Sequence, residues 1–308
     1  MTRVSVLEPR RAEVGGFEVG RVLPQRARRM VGPWCFVDRM GPAHLDGTSG
    51  LDVGPHPHIG LQTVTWLLEG RLLHTDSLGT EQIIEPGQLN LMTAGHGVSH
   101  AEQSSGVADT GQLFGVQLWV AQPATTRHGA PAFEHHRDLE VVEFDHARAT
   151  VIIGEFAGAT SPARCDTDHV AVEIDLDAGV TELPCTVGHD YAVLALGEPV
   201  VVVGHVLERG ELGVVESGVV ESGVVESGGA TGAIGDEVSV TIEAHESSRV
   251  LLIGGAPFDD EVLMWWNYVA RTRTEIVEAH RQWSDGHERF GTVPIALERI
   301  DVPGPPWS

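Results

Sequence analysis

Short apolar runs broken by Gly, Pro, Asp and Asn recur along this chain. Residues 62–70 and 112–120 are rich in β-branched and aromatic residues and alternate approximately between apolar and polar positions, which predicts strands of an antiparallel sandwich or barrel. A second series at residues 151–154, 170–176, 191–196 and 250–253 repeats the style after a polar stretch around 127–140. The pattern therefore predicts two β-domains, 1–140 and 141–260, with residues 261–308 as a terminal appendage. One segment of that appendage reads as a helix. Thr272 and Glu275 have capping-box spacing, Ile276, Ala279, His280 and Trp283 share a face, and Gly286 marks the stop. The tail Val302-Pro303-Gly304-Pro305-Pro306 excludes regular structure and predicts an extended strap.

Composition narrows the setting. No apolar run reaches the roughly 18–20 residues that a membrane helix needs, and the first residues, Met1 to Glu8, lack the pattern of a secretory signal, so the expected location is cytoplasmic. Cys35, Cys165 and Cys185 are widely spaced, odd in number and without a CxxC, which argues against a disulfide framework or a structural zinc site. The formal charge is −24 and no lysine occurs; such a field repels phosphate backbones and argues against direct nucleic-acid binding. Gly-Val-Val-Glu-Ser repeats three times over 213–227, too briefly for a solenoid, and reads as a duplicated insertion in a loop or hairpin, with a binding role as the alternative.

The informative chemistry lies in Gly54-Pro55-His56-Pro57-His58 and in Gly95-His96-Gly97-Val98-Ser99-His100-Ala101-Glu102. On a strand, residues i and i+2 project from one face, so His56 can join His58, and His100 can join Glu102. Two such pairs on neighbouring strands make a four-ligand site. Three neutral imidazoles and one carboxylate suit a divalent first-row ion and leave positions open for substrate, water or dioxygen.

These segments, with Thr63-Val64-Thr65-Trp66-Leu67-Leu68-Glu69-Gly70, His74-Thr75-Asp76-Ser77-Leu78-Gly79 and Pro86-Gly87, closely resemble the signature of the pirin family. The likeness extends through Phe36-Val37-Asp38, Gly115-Val116-Gln117-Leu118-Trp119-Val120, Gly154-Glu155-Phe156-Ala157-Gly158 and Gly254-Gly255-Ala256-Pro257. It covers roughly residues 20–300, with the repeat at 213–227 outside it. The resemblance implies two stacked antiparallel cupin (jelly-roll) barrels, the first with metal and the second without. It implies Fe(2+) as the usual ion; Mn, Ni, Co, Cu and Zn also suit the donor set. The family's ligand pattern falls on His56, His58, His100 and Glu102 without a gap.

Departures also matter. Many pirins carry Arg and then Gly-Phe-Glu after the second ligand, where this chain has Ile59-Gly60-Leu61-Gln62, so a charge beside the metal is expected to be missing. His96 is read as an exposed loop residue or an extra polar group of the site, and His74 as a pocket residue or a structural hydrogen-bond partner. The second barrel has scattered histidines, among them His169, His189, His205 and His245, with no HxH. Trp265-Trp266-Asn267-Tyr268 is read as a packing cluster rather than a ligand platform. The resemblance implies a quercetin 2,3-dioxygenase-like oxidoreductase acting on a flavonol-like or other enolisable small aromatic substrate with dioxygen, Glu102 being the candidate catalytic base. The alternative is a non-enzymatic, redox-sensitive regulator that binds a protein partner.

Overall fold

Strand pairing, not chain order, decides how the sequence is divided. In the computed structural model, which describes residues 4–45, 50–104, 111–216 and 237–307, Arg10–Met30, Trp34–Asp138 and Asp259–Ser308 form one unit. Leu139–Phe258, with Val31–Pro33 and the segment ending at Pro9, forms the other.

The first unit has a seven-stranded antiparallel sheet in the order Ala132–His136, Leu89–Thr93, Leu61–Glu69, Gly111–Ala121, Trp34–Leu45, Phe17–Leu23 and Arg10–Val14. Its four-stranded sheet runs Asp52–His58, Val98–Gln103, Leu72–Asp76 and Glu81–Ile84. Val19, Met40, Leu67 and Leu113 from the larger sheet pack against Val53, Leu72 and Ile84 from the smaller. This is a jelly-roll sandwich, as the apolar runs predict.

The second unit repeats the plan. Its larger sheet runs Val4–Leu7, Leu212–Val215, Asp190–Ala195, Ser248–Gly255, His169–Leu176, Ala147–Ile153 and Val141–Phe144, and its smaller one Gly179–Thr186, Glu237–Ala244, Val200–Val202 and His205–Leu207. Val172, Val193 and Leu252 meet Leu183, Val202, Val240 and Ile242 in its core. The strand at the start of the chain takes the edge beside Leu212–Val215, with Leu7 opposite Leu212. The first Gly-Val-Val of the repeat therefore lies in a sheet, and residues 217–227 of the repeat lie outside the described residues.

The helix Arg273–Ser284 begins at Thr272, whose hydroxyl accepts from the Glu275 N–H at 3.2 Å. Glu275 does not complete the box at Thr272. Its carboxylate accepts from the Arg271 N–H and from both terminal nitrogens of Arg127, a stronger charge-assisted arrangement. Ile276, Ala279 and Trp283 are buried against Tyr268 and Phe290. Beyond the helix and a short 3-10 turn at Glu288–Phe290, the chain runs without regular structure past the strand that carries His56 and His58, where the Ile300 N–H donates to the Pro55 carbonyl at 2.9 Å. Among the described residues, no helix is long and apolar enough to cross a membrane.

Candidate metal centre

Two local features aim the histidine strand. His56 pairs with His100, but Glu102 pairs with Val53, so Asp52–His58 carries a bulge at Gly54-Pro55. Proline fits there because a bulge releases one ladder donor. Two glycines then tie the strand ends together: the Gly60 N–H donates to the Gly95 carbonyl at 2.9 Å, and both residues have positive φ. A Cβ on Gly60 would run into the Val269 carbonyl, and one on Gly95 into the Gly129 carbonyl, so the tie requires glycine.

The structure brings His56, His58 and His100 together, with their candidate ligand nitrogens within 4.8 Å of one another. All three are buried. His56 Nδ1 lies 2.9 Å from the Gly54 carbonyl and His58 Nδ1 lies 3.1 Å from the Asn267 carbonyl. A carbonyl only accepts, so each neutral ring carries its proton on Nδ1 and keeps a lone pair on Nε2. His58 Nε2 sits 3.0 Å from His100 Nε2. Burial pushes His56 down to about 4; burial, reinforced by neighbouring imidazoles, holds His58 and His100 well below the usual histidine range. The three rings are neutral at physiological pH, the state a metal requires of them.

Glu102 lines the same cavity and is 7% exposed. Burial pushes its carboxyl up to about 7, with the Thr65 hydroxyl opposing the rise, and its Oε1 has no hydrogen-bond partner. The three converging imidazoles fit a divalent cation; Glu102 lies outside that group but lines the same cavity, and its unpartnered buried oxygen suits a further donor. The cavity measures about 470 Å³. Phe36 and Trp119 stack at 4.0 Å beside it, Arg21 lies over Phe36 and is clamped by Asp38 through two bonds of 2.7 and 2.8 Å, and Gln117 completes the wall.

The remaining sequence candidates separate cleanly. His74 is buried behind the site, between Asp76 and His100. His96 is exposed, with Nδ1 2.9 Å from the Gly129 carbonyl. Gln62 belongs to the larger sheet and donates to Thr93 Oγ1 at 3.0 Å, and Ile59 packs with Tyr268 and the helix; no hydrogen bond runs from Gln62 to a histidine of the site. The aromatic run is more than packing: Trp266 and Asn267 line the cavity at a hairpin turn where Trp266 has φ +50°, and the Asn267 carbonyl holds His58. Sequence reading missed that contact because a backbone carbonyl carries no residue signature. Arg21 was missed too, although its two-residue spacing from buried Val19 and Leu23 offered a signal.

The profile of the family described as Pirin matches residues 16–120, and that of the Pirin C-terminal cupin domain matches 171–291. A Pseudomonas aeruginosa relative with the provisional name quercetin 2,3-dioxygenase is 40% identical over 303 residues, covering 97% of this chain and 90% of its own. A pirin-like protein of Caulobacter vibrioides is 36% identical, covering 92% of this chain and 94% of its own. A crystal structure of quercetin 2,3-dioxygenase from Acinetobacter baumannii superposes with a TM-score of 0.90 at 40% identity, over 99% of this chain and 96% of the other. The two barrels, the histidine cluster in the first of them and these likenesses agree: the chain belongs to the pirin family of cupins.

Proposed function

We propose that this chain is a metal-dependent dioxygenase of small, enolisable aromatic molecules of the flavonol type. The observation that carries the reading is the set of imidazole nitrogens converging beside the unpartnered Glu102 Oε1 on a cavity walled by Phe36, Trp119 and Trp266. His56, His58, His100 and Glu102 would hold the ion, with iron as the first candidate. When bound, such an ion supplies a Lewis acid and a template for substrate and dioxygen.

The chain's own residues do the rest. The Gly54 and Asn267 carbonyls orient His56 and His58 by accepting their Nδ1 protons. Glu102, which lines the cavity with an unpartnered Oε1, is placed to accept the proton of the substrate's enolic hydroxyl. Trp119 and Trp266 enclose a flat ring system, and Arg21, held by Asp38, offers a fixed cation at the wall. Names borne by relatives and by the Acinetobacter baumannii structure support the substrate class.

The test is oxygen uptake by iron-loaded protein against a panel of flavonols and simpler enols. Uptake that saturates with one of them supports the reading. No uptake across the panel overturns it and leaves a metal-binding regulator.

A further inference from the structure

We infer that Arg21 is the residue by which the first unit's cavity selects its substrate, and that the molecule it takes carries a carboxylate on the ring remote from the reacting enol. The inference rests on the dioxygenase reading above and narrows its substrate class.

Arg21 belongs to a row of polar side chains that crosses the larger sheet of the first unit. Arg10 is opposite Arg21, Arg21 opposite Asp38, Asp38 opposite Gln117, and Gln117 opposite Thr65. Arg21, Asp38 and Gln117 line the cavity, and the Thr65 hydroxyl donates to Gln117 Oε1 at 2.8 Å. The fold does not require such a row. In the larger sheet of the second unit, Ala149, Ile174, Val250 and Ala195 face one another in the same way, and all are hydrocarbon of the core. An ion pair in such an interior gains little over well-packed hydrocarbon, so stability alone does not account for Asp38, which is only 3% exposed.

What Arg21 can still offer follows from what already holds it. Asp38 accepts from Nε at 2.8 Å and from Nη2 at 2.7 Å, and the guanidinium lies over the Phe36 ring at 4.5 Å. One edge and one face are thus occupied, while Nη1 has no hydrogen-bond partner among the described residues. The remaining edge, Nη1 with the second N–H of Nη2, matches a carboxylate through two parallel bonds. Asp38 and Phe36 fix the fork before any ligand arrives, so little rotamer freedom is left to lose on binding. The local charge also admits an anion. Arg10 faces Arg21 across the strand pair, and its positive charge reaches Asp38. Glu13 opposes from the same wall, but it is exposed and screened by solvent.

The place of the cation decides which part of the substrate it meets. Along the wall the ring centroids of His58 and Trp119 are 5.2 Å apart and those of Trp119 and Phe36 4.0 Å apart, with Arg21 4.5 Å from the Phe36 centroid. Two aromatic side chains therefore separate Arg21 from the nearest candidate ligand. A molecule whose enol sits at the histidines meets Arg21 with a substituent of a second ring, not of the enol's own. At about 470 Å³ the cavity falls within the range of roughly 300–1,000 Å³ that encloses ligands of several rings.

Calorimetric binding of 3-hydroxyflavone and of its 4′-carboxylate, in the presence of zinc so that no oxidation occurs, tests the assignment. The wild type is expected to bind the carboxylate at least about tenfold more tightly, the gain of a charge-assisted pair. Arg21→Gln is expected to bring the two probes within about twofold of each other and to leave 3-hydroxyflavone within about threefold of its wild-type affinity. Asp38→Asn keeps the cation and is expected to keep most of the preference; equal losses in the two variants would mark the pair as structural and overturn the proposal. Should Arg21→Gln fail to fold with Asp38 left unpaired, combining it with Asp38→Asn replaces the ion pair by two amides, and the preference is expected to vanish there too. No preference in the wild type, a preference that survives loss of Arg21, or a wild type that binds neither probe overturns the proposal. Oxygen uptake by iron-loaded protein separates the two readings. A carboxylate preference that depends on Arg21, with no oxygen consumed, upholds the recognition and defeats the dioxygenase reading, whereas uptake on both probes without preference does the reverse.

Discussion

The two units share one strand plan and differ in what faces the interior of the smaller sheet. Where one places His56 opposite His100, the other places Leu183 opposite Val240; where one sets Glu102 against His74, the other sets Ile242 against Val202. All eight side chains are buried. Hydrocarbon at these positions needs no partners, and the second unit supplies none. Buried imidazoles need hydrogen-bond partners, and the first unit supplies the Gly54 carbonyl for His56, the Asn267 carbonyl for His58 and the Asp76 carboxylate for His74. The candidate metal centre is thus a few side chains plus the acceptors that orient them, set on a strand pairing that the second unit shares without them.

The comparison breaks first if the second barrel takes up metal. Purified wild-type protein is expected to hold about one divalent ion per chain, since among the described residues only the first unit brings together a group of ligand side chains. His100→Ala is expected to weaken binding by more than about 100-fold, because it removes a ligand itself rather than an outer partner. Elemental analysis finding two ions per chain in the wild type, or full occupancy in the variant, would contradict the contrast between the two interiors.

Glu102→Gln probes what the carboxylate adds to the imidazoles. The amide keeps the shape and one carbonyl oxygen but cannot take a proton at neutral pH. Turnover per bound metal is expected to fall by about 10²–10⁴-fold while part of the metal is retained. Equal turnover per bound metal in the two proteins would leave Glu102 as a ligand alone and move the search for a base elsewhere in the cavity.

Much of this contrast was legible in the sequence. Strand alternation is local, so HxH and HxE announce a shared face before any partner is known, and the helix is announced by Thr272, Ile276, Ala279 and Trp283. The assembly of the three histidines depends on the pairing of Asp52–His58 with Val98–Gln103, which periodicity cannot encode. Nor could it show that the chain's first strand joins Leu212–Val215, a partner more than two hundred residues away. The acceptors were hidden for another reason. Gly54 and Asn267 act through carbonyls that every residue possesses, and Asp76 looks like an ordinary turn residue until His74 is seen behind His100.

The reverse transplant sharpens the comparison at the level of stability. Leu183→His puts an imidazole into an interior whose neighbours Val202, Val240 and Ile242 offer no hydrogen bond. A loss of about 2–4 kcal/mol is expected, from an unpaired buried polar group and lost apolar packing. The metal content should stay at the wild-type value. Urea denaturation and elemental analysis together check both halves; a variant as stable as wild type would mean that this interior tolerates polar groups as readily as the first.

The smallest expected effect concerns Gln62, where the resemblance noted in the sequence leads one to expect glutamate. Its side chain is fully buried in the larger sheet and bonds Thr93, and neither ligand strand is its neighbour in that sheet. Gln62→Glu is therefore expected to leave zinc affinity within about twofold of wild type, well short of the 10–100-fold change typical of a partner that orients a ligand. Its signature should be pH. Burial would raise the new carboxyl above its unfolded value of about 4.3, so the folded state binds the proton more tightly than the unfolded one. Below that unfolded value the protonated acid can donate to Thr93 as the amide does, and the variant matches wild type. As pH rises between the unfolded and folded values, stability relative to wild type falls by up to about 1.4 kcal/mol per pH unit, then levels off once both states are ionised. Urea midpoints of the metal-free proteins at pH 4.5 and 8, taken as differences from wild type so that Glu102 cancels, measure this. A midpoint difference that ignores pH, or a zinc affinity that climbs in the variant, would place Gln62 within electrostatic reach of the histidines and extend the first barrel's polar interior into its larger sheet.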